Sequence, residues 1–168
     1  MPTSLNSHAF VSLGSNLGDR AGNLLLGIRG MLEAGLELIR LSSVYETQPV
    51  GTLEQPSFLN LVAELRLDKL LPPEKMMARL LRVEYALGRT RDVAKGPRTI
   101  DLDLLLYGDR TCATGLLTLP HPRLHLRRFV LTPLAELAPA LIHPTLQRTI
   151  AELLETLDDE SAVKRWRP

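Results

Sequence analysis

Apolar and polar positions recur along this chain with enough regularity to divide it into elements. Ala9-Phe10-Val11-Ser12-Leu13-Gly14 reads as a strand, and Ser15-Asn16-Leu17-Gly18-Asp19 after it is a turn rich in helix-capping residues. Leu24, Leu25, Ile28 and Leu32 keep helical spacing and predict a helix to about residue 34. Residues 37 to 47 alternate loosely as a second strand, Pro49, Gly51 and Pro56 interrupt the pattern, and Phe58 to Leu67 resumes it as a third. Pro72-Pro73-Glu74 opens a second helix with Met76, Met77, Leu80, Leu81, Val83 and Leu87 on its apolar side, and Gly88 stands where it should end. A further strand reaches Tyr107, and a hairpin through Gly108-Asp109 and Gly115 leads to a strand ending at Leu119.

This order predicts an α+β fold: a ferredoxin-like βαββαβ core, mainly an antiparallel sheet with helices packed on one face. Extra C-terminal helices follow, one marked by Leu131, Leu134 and Leu137 and another over residues 147 to 157. Residues 1–157 are thus expected to form one domain, and the charged stretch 158–168 a poorly ordered tail in which Trp166 has no role in any site.

Composition narrows the picture. The chain has 168 residues, 45% of them hydrophobic, which suits a single domain with a real core. A formal charge of +1 gives no global reason to bind nucleic acid or an anionic membrane. The single cysteine, Cys112, excludes an internal disulfide and any cysteine-cluster metal site, as expected in a reducing cytosol. Met1 to Ser7 is polar and too short for a signal peptide, and no apolar run nears the roughly 20 residues of a membrane span. A cytoplasmic protein is expected.

Candidate chemistry concentrates in Gly96-Pro97-Arg98-Thr99-Ile100-Asp101-Leu102-Asp103-Leu104-Leu105. On a strand, Asp101 and Asp103 share one face while Leu102, Leu104 and Leu106 share the other. Carboxylates roughly 7 Å apart repel by about 2 kcal/mol at an effective dielectric of about 20, and a bound cation reverses that sign. Oxygen-only ligands suit Mg²⁺, which also takes phosphate oxygens from a substrate. Arg89, Arg91, Lys95 and Arg98 lie just upstream, opposed only by Asp92. Arginine pairs bidentately with phosphate, so the combination points to a polyphosphate. A second basic cluster, His121-Pro122-Arg123-Leu124-His125-Leu126-Arg127-Arg128-Phe129, enters the third helix. The glycine turn after the first strand lacks the Gly-Lys-Ser/Thr ending of a phosphate loop.

Taken in order, these pieces resemble the 6-hydroxymethyl-7,8-dihydropterin pyrophosphokinases of folate biosynthesis. The matching motifs are Leu13-Gly14-Ser15-Asn16-Leu17-Gly18-Asp19, Ser43-Val44-Tyr45-Glu46-Thr47 leading to Pro49-Val50-Gly51, Gln55-Pro56-Ser57-Phe58-Leu59-Asn60, Gly88-Arg89-Thr90-Arg91, the run at 96–103, and Leu119-Pro120-His121. The resemblance spans roughly residues 8 to 155.

It implies that the pterin hydroxymethyl oxygen attacks the β-phosphorus of ATP and AMP leaves. It also implies that Asp101 and Asp103 hold two Mg²⁺ ions, that Glu84, Arg89, Arg91, Arg98, His121 and Arg127 serve the nucleotide, and that Asp101, Asp103, Arg89 and Arg98 are the catalytic residues. For the pterin it implies Phe58 and Phe129 on the two ring faces, Asn60 on the polar edge, and the backbone around Thr47 and Val50. Asn offers both an acceptor and donors to an amide-like edge. Residues 91–97 are expected to be mobile without ligand and to cover the substrates when bound. The partners expected are ATP and the pterin, with neither nucleic acid nor membrane, and a monomer. An RNA-binding module of the same topology and a kinase transferring only the γ-phosphate are the competing readings; salt-sensitive polynucleotide binding marks the first and ADP as product the second.

Overall fold

In a computed structural model, residues 7–48, 54–88 and 99–168 are described. The chain forms β1 (His8–Ser15), α1 (Arg20–Glu33), β2 (Glu37–Leu41), β3 (Tyr45–Thr47), β4 (Phe58–Arg66), α2 (Pro73–Ala86), β5 (Asp101–Tyr107), β6 (Cys112–Ala113), β7 (Thr118–Leu119), α3 (Arg128–Leu137), α4 (Ile150–Glu155) and β8 (Val163–Arg165). The main sheet runs β5-β1-β4-β3-β8, with β2 also on β4, and every pairing in it is antiparallel. Helices α1 and α2 each cross between strands separated by another strand, which is the expected ferredoxin-like core.

The predicted second strand is two strands on one neighbour: β2 pairs with the far end of β4 and β3 with its beginning. At the break, Ser42 replaces a ladder residue, its hydroxyl accepting the Val62 N–H at 2.9 Å. Helix α1 also buries a different stripe from the one expected. Leu24, Gly27 and Met31 face inward, whereas Leu25 is 68% and Leu32 50% exposed. Gly30 lets α1 lie against α2, since a Cβ there would come within 2.6 Å of Val83.

Apolar residues cover both faces of the sheet, not one. Val11, Leu13, Leu102 and Leu104 pack under α1 and α2, while Phe10, Val62, Leu105 and Leu106 pack under α3 and α4. Leu106 therefore departs from the expected alternation. The register slips where Phe10 opposes Leu106 and Val11 opposes Leu104, so Leu105 is a bulge residue and the side chains after it change faces.

The stretch after α4 does not stand off as a tail. Val163–Arg165 adds β8 to the outer edge of β3, and Trp166 packs partly buried against the core beneath α1 and α2.

Candidate active site

Three strands meet at one end of the sheet with small or polar residues on the α3 side. Gly14 lies between Asn60 on β4 and Asp101 on β5, and Ser12 lies between Val62 and Asp103. The bulky core residues of that face, Phe10, Val62 and Leu105, stop short of this end. The result is a cavity of about 170 Å³ with a dozen lining residues, among them Thr47, Phe58, Asn60, Asp101, Asp103, Arg127 and Phe129. Every one of those seven is a residue singled out from sequence, drawn from four separate elements.

The floor is tightly specified. Asn60 is buried and its amide donates to the Thr47 hydroxyl at 2.7 Å, so β3 and β4 share one polar contact inside the cavity. A Cβ on Gly14 would lie 2.7 Å from Asn60 Oδ1 and 3.6 Å from the Phe58 ring, so only glycine leaves this amide in place. Asn16 holds the adjoining loop, donating to Gln55 Oε1 at 2.9 Å and to the Pro56 carbonyl at 3.1 Å. Arg20 ties the same loop to β3 through the Ser57 carbonyl and Glu46. The glycine turn thus positions the cavity wall through side-chain contacts.

The opposite wall comes from the start of α3. The Arg127 guanidinium lies 5.5 Å from the centroid of the Phe129 ring, within cation–π range. Asp101 and Asp103, on one strand face, supply the oxygen donors that a hard cation takes, and Arg123 and Arg127 line the same space. Among the described residues no cluster of three or more His, Cys, Asp or Glu could hold a metal alone. A metal here needs oxygens from water or a bound phosphate as well.

His121 is held beside this pair. Its N–H donates to the Leu105 carbonyl at 2.9 Å, and its Nδ1 accepts the Arg123 N–H at 3.1 Å. Burial, helped by Arg127 and Arg123 and opposed by Asp101, lowers its pKa to about 4. The ring is therefore neutral at physiological pH, and with Nδ1 accepting, the proton is on Nε2.

Glu84 is only 3% exposed, and its carboxylate accepts the Leu102 N–H at 2.7 Å. It braces β5 between the two aspartates and does not line the cavity. Val50, Arg89, Arg91 and Arg98, and the loop 91–97, lie outside the described residues. The sequence reading missed Ser12, Gly14, Gln48, Gln55 and Arg123 as lining residues. Gly14 and Gln55 sat inside quoted motifs, Arg123 inside the second basic cluster, and Ser12 two positions before Gly14 on one strand face. Gln48 carried no signal beyond adjacency to Thr47.

Comparison with known proteins shows what the chain as a whole is similar to. Residues 10–139 match the family model described as 7,8-dihydro-6-hydroxymethylpterin-pyrophosphokinase (HPPK). A 2-amino-4-hydroxy-6-hydroxymethyldihydropteridine pyrophosphokinase of Bacillus subtilis is 37% identical over 164 residues, covering 97% of this chain and 92% of that one. A protein of the same name from Synechocystis is 44% identical over 151 residues, covering 89% and 76%. The chain spans only 20% of the folic acid synthesis protein of Pneumocystis carinii, to which it is 38% identical over 154 residues. Among solved structures, wild-type Plasmodium falciparum HPPK-DHPS with pteroate superimposes with a TM-score of 0.69 at 15% identity, over 88% of this chain and 44% of that one.

Proposed function

This chain belongs to the 7,8-dihydro-6-hydroxymethylpterin-pyrophosphokinase family, and from that premise we propose how its cavity performs pyrophosphate transfer from ATP to 6-hydroxymethyl-7,8-dihydropterin. The observation that carries the reading is the convergence of an acidic pair, two arginines, two phenylalanines and a buried amide on one cavity.

The pterin ring lies between Phe58 and Phe129, with its amide-like edge toward Asn60. One amide hydrogen of Asn60 is committed to Thr47, which fixes the side chain and leaves Oδ1 and the second hydrogen for the ligand. Arg123 and Arg127, together with Arg89, Arg91 and Arg98, hold the triphosphate; each charged donor contributes on the order of 1.5 to 3 kcal/mol. His121, whose Nδ1 accepts the Arg123 N–H, turns Nε2 toward the phosphates as a hydrogen-bond donor. Glu84 holds the Leu102 N–H between the two aspartates, which keeps both on the face turned to the substrate.

Two Mg²⁺ ions held by Asp101 and Asp103 would neutralise phosphate charge and favour in-line geometry. The hydroxymethyl oxygen bonds to the β-phosphorus, the bond from that phosphorus to the α–β bridging oxygen breaks, AMP departs, and the hydroxyl proton is released. The protein acts as a monomer in the cytoplasm. Among the described residues no helix is long and apolar enough to cross a membrane.

Incubation with ATP, Mg²⁺ and the pterin alcohol, followed by chromatography of the nucleotides, tests this. AMP should form in equal amount to pterin diphosphate. ADP as the product, or nucleotide turnover that ignores the pterin, overturns it.

A further inference from the structure

We propose that residues 158–166 form a strap that sets the separation of the two sides of the pterin cavity. The inference rests on the assignment of that cavity to the pterin.

One end of the strap grips the start of α3. Asp159 accepts the Arg128 N–H through Oδ2 at 2.9 Å, and Arg128 Nε donates back to the Asp159 carbonyl at 2.7 Å. Arg128 lies between Arg127 and Phe129, the residues that form the α3 wall. Asp159 Oδ1 also accepts the Ser161 N–H, which folds the strap back toward the sheet.

The other end grips β3. Val163 stands opposite Thr47, Lys164 opposite Glu46 and Arg165 opposite Tyr45, and the Trp166 N–H donates to the Val44 carbonyl at 2.8 Å. Thr47 is the residue whose hydroxyl holds the Asn60 amide. Between the two ends, Glu136 on α3 accepts from the Tyr45 hydroxyl at 2.7 Å and from the Ser43 hydroxyl and N–H, with Arg165 at 3.7 Å.

Strand β3 is only three residues long and pairs with β4 on its inner side. So short an edge strand holds its position weakly without a neighbour on its open side. The strap supplies that neighbour and anchors it to the opposite wall, so wall spacing is set through one continuous segment. A cavity that sandwiches a flat ring is sensitive to such spacing, because displacement of about 1 Å is enough to spoil positioned contacts.

Lys164→Pro removes a backbone N–H from the middle of β8 at an exposed side chain, and Asp159→Ala removes the carboxylate that accepts the Arg128 and Ser161 N–H groups at the α3 end. Each is expected to raise the pterin KM at least fivefold, with kcat within twofold of wild type and, in Lys164→Pro, the ATP KM also within twofold. An unchanged pterin KM in both variants overturns the strap, as does a parallel loss in kcat and both KM values, which marks a general loss of structure. If Lys164→Pro does not fold, Asp159→Ala decides by its pterin KM and kcat. Wild-type protein run alongside separates the two readings. Failure of wild type to form AMP with pterin overturns the function itself, whereas normal wild-type turnover with unaltered variants overturns the strap alone.

Discussion

The two faces of this sheet are built from the same strands and do opposite things. Under α1 and α2, Val11, Leu13, Leu102 and Leu104 make a closed apolar layer. On the α3 side the alternate residues grade from Phe10, Val62 and Leu105 to Ser12, Gly14, Asn60, Asp103 and Asp101 at one end. On one face the layer excludes water along its length, and on the other it gives way to groups that would be costly to bury without a ligand. Stability and chemistry are thus separated by a single step along each strand.

Two substitutions on β5 test that separation most severely. Asp101→Ala or Asp103→Ala should lower turnover by about 10³-fold or more, the upper range for losing a principal electrostatic contact, with the urea midpoint nearly unchanged. Leu102→Ala, one residue away on the other face, should cost about 2 to 5 kcal/mol of stability. Its kcat per folded molecule should be retained under conditions where it stays folded. If the aspartate variants lose stability and not turnover, the faces are misassigned.

A smaller effect is expected at the cavity floor. Gly14→Ala places a methyl 2.7 Å from Asn60 Oδ1, so either the amide or the strand must yield. Breaking the Asn60–Thr47 contact is worth about 1 kcal/mol, which predicts a rise of roughly fivefold in pterin KM with little change in ATP KM. Steady-state kinetics with each substrate varied in turn reads this, and an equal shift in both KM values contradicts the assigned floor.

Much of this division was legible in the chain. Alternation around Asp101 and Asp103 placed the acids together because strand geometry depends only on the local backbone, and Phe58 and Asn60 followed by the same rule. What local pattern could not reveal was set by distant contacts. The bulge that turns Leu106 to the α3 side depends on how β5 fits β1. Leu25 and Leu32 keep helical spacing, yet Met31 and Gly27 won the inward stripe through the fit of α1 against Val83 and Ile100. The segment 158–168 looked like a solvated tail because its charges gave no apolar period. Its order comes from backbone pairing with β3 and from Asp159 on Arg128, neither of which composition records. The same holds for Glu84, a charged helix residue on paper and a buried brace in the fold.

The last effect is a pH dependence that belongs to the chemical face alone. In the folded protein without metal or nucleotide, burial chiefly, and then Arg127 and Arg123, bring the His121 pKa down to about 4, against about 6.5 for a free histidine. Between those values the unfolded chain binds a proton that the folded chain does not, so stability rises with pH across that window. The contribution is complete above about pH 6.5 and is lost as pH falls through the folded pKa near 4. His121→Gln removes the proton site and should reduce the fall in urea midpoint between pH 7 and pH 5, measured with chelator present. Equal midpoint changes in wild type and variant would mean that His121 titrates like an exposed histidine. The burial of His121 beside Arg127 and Arg123 at that end of the sheet would then be incorrect.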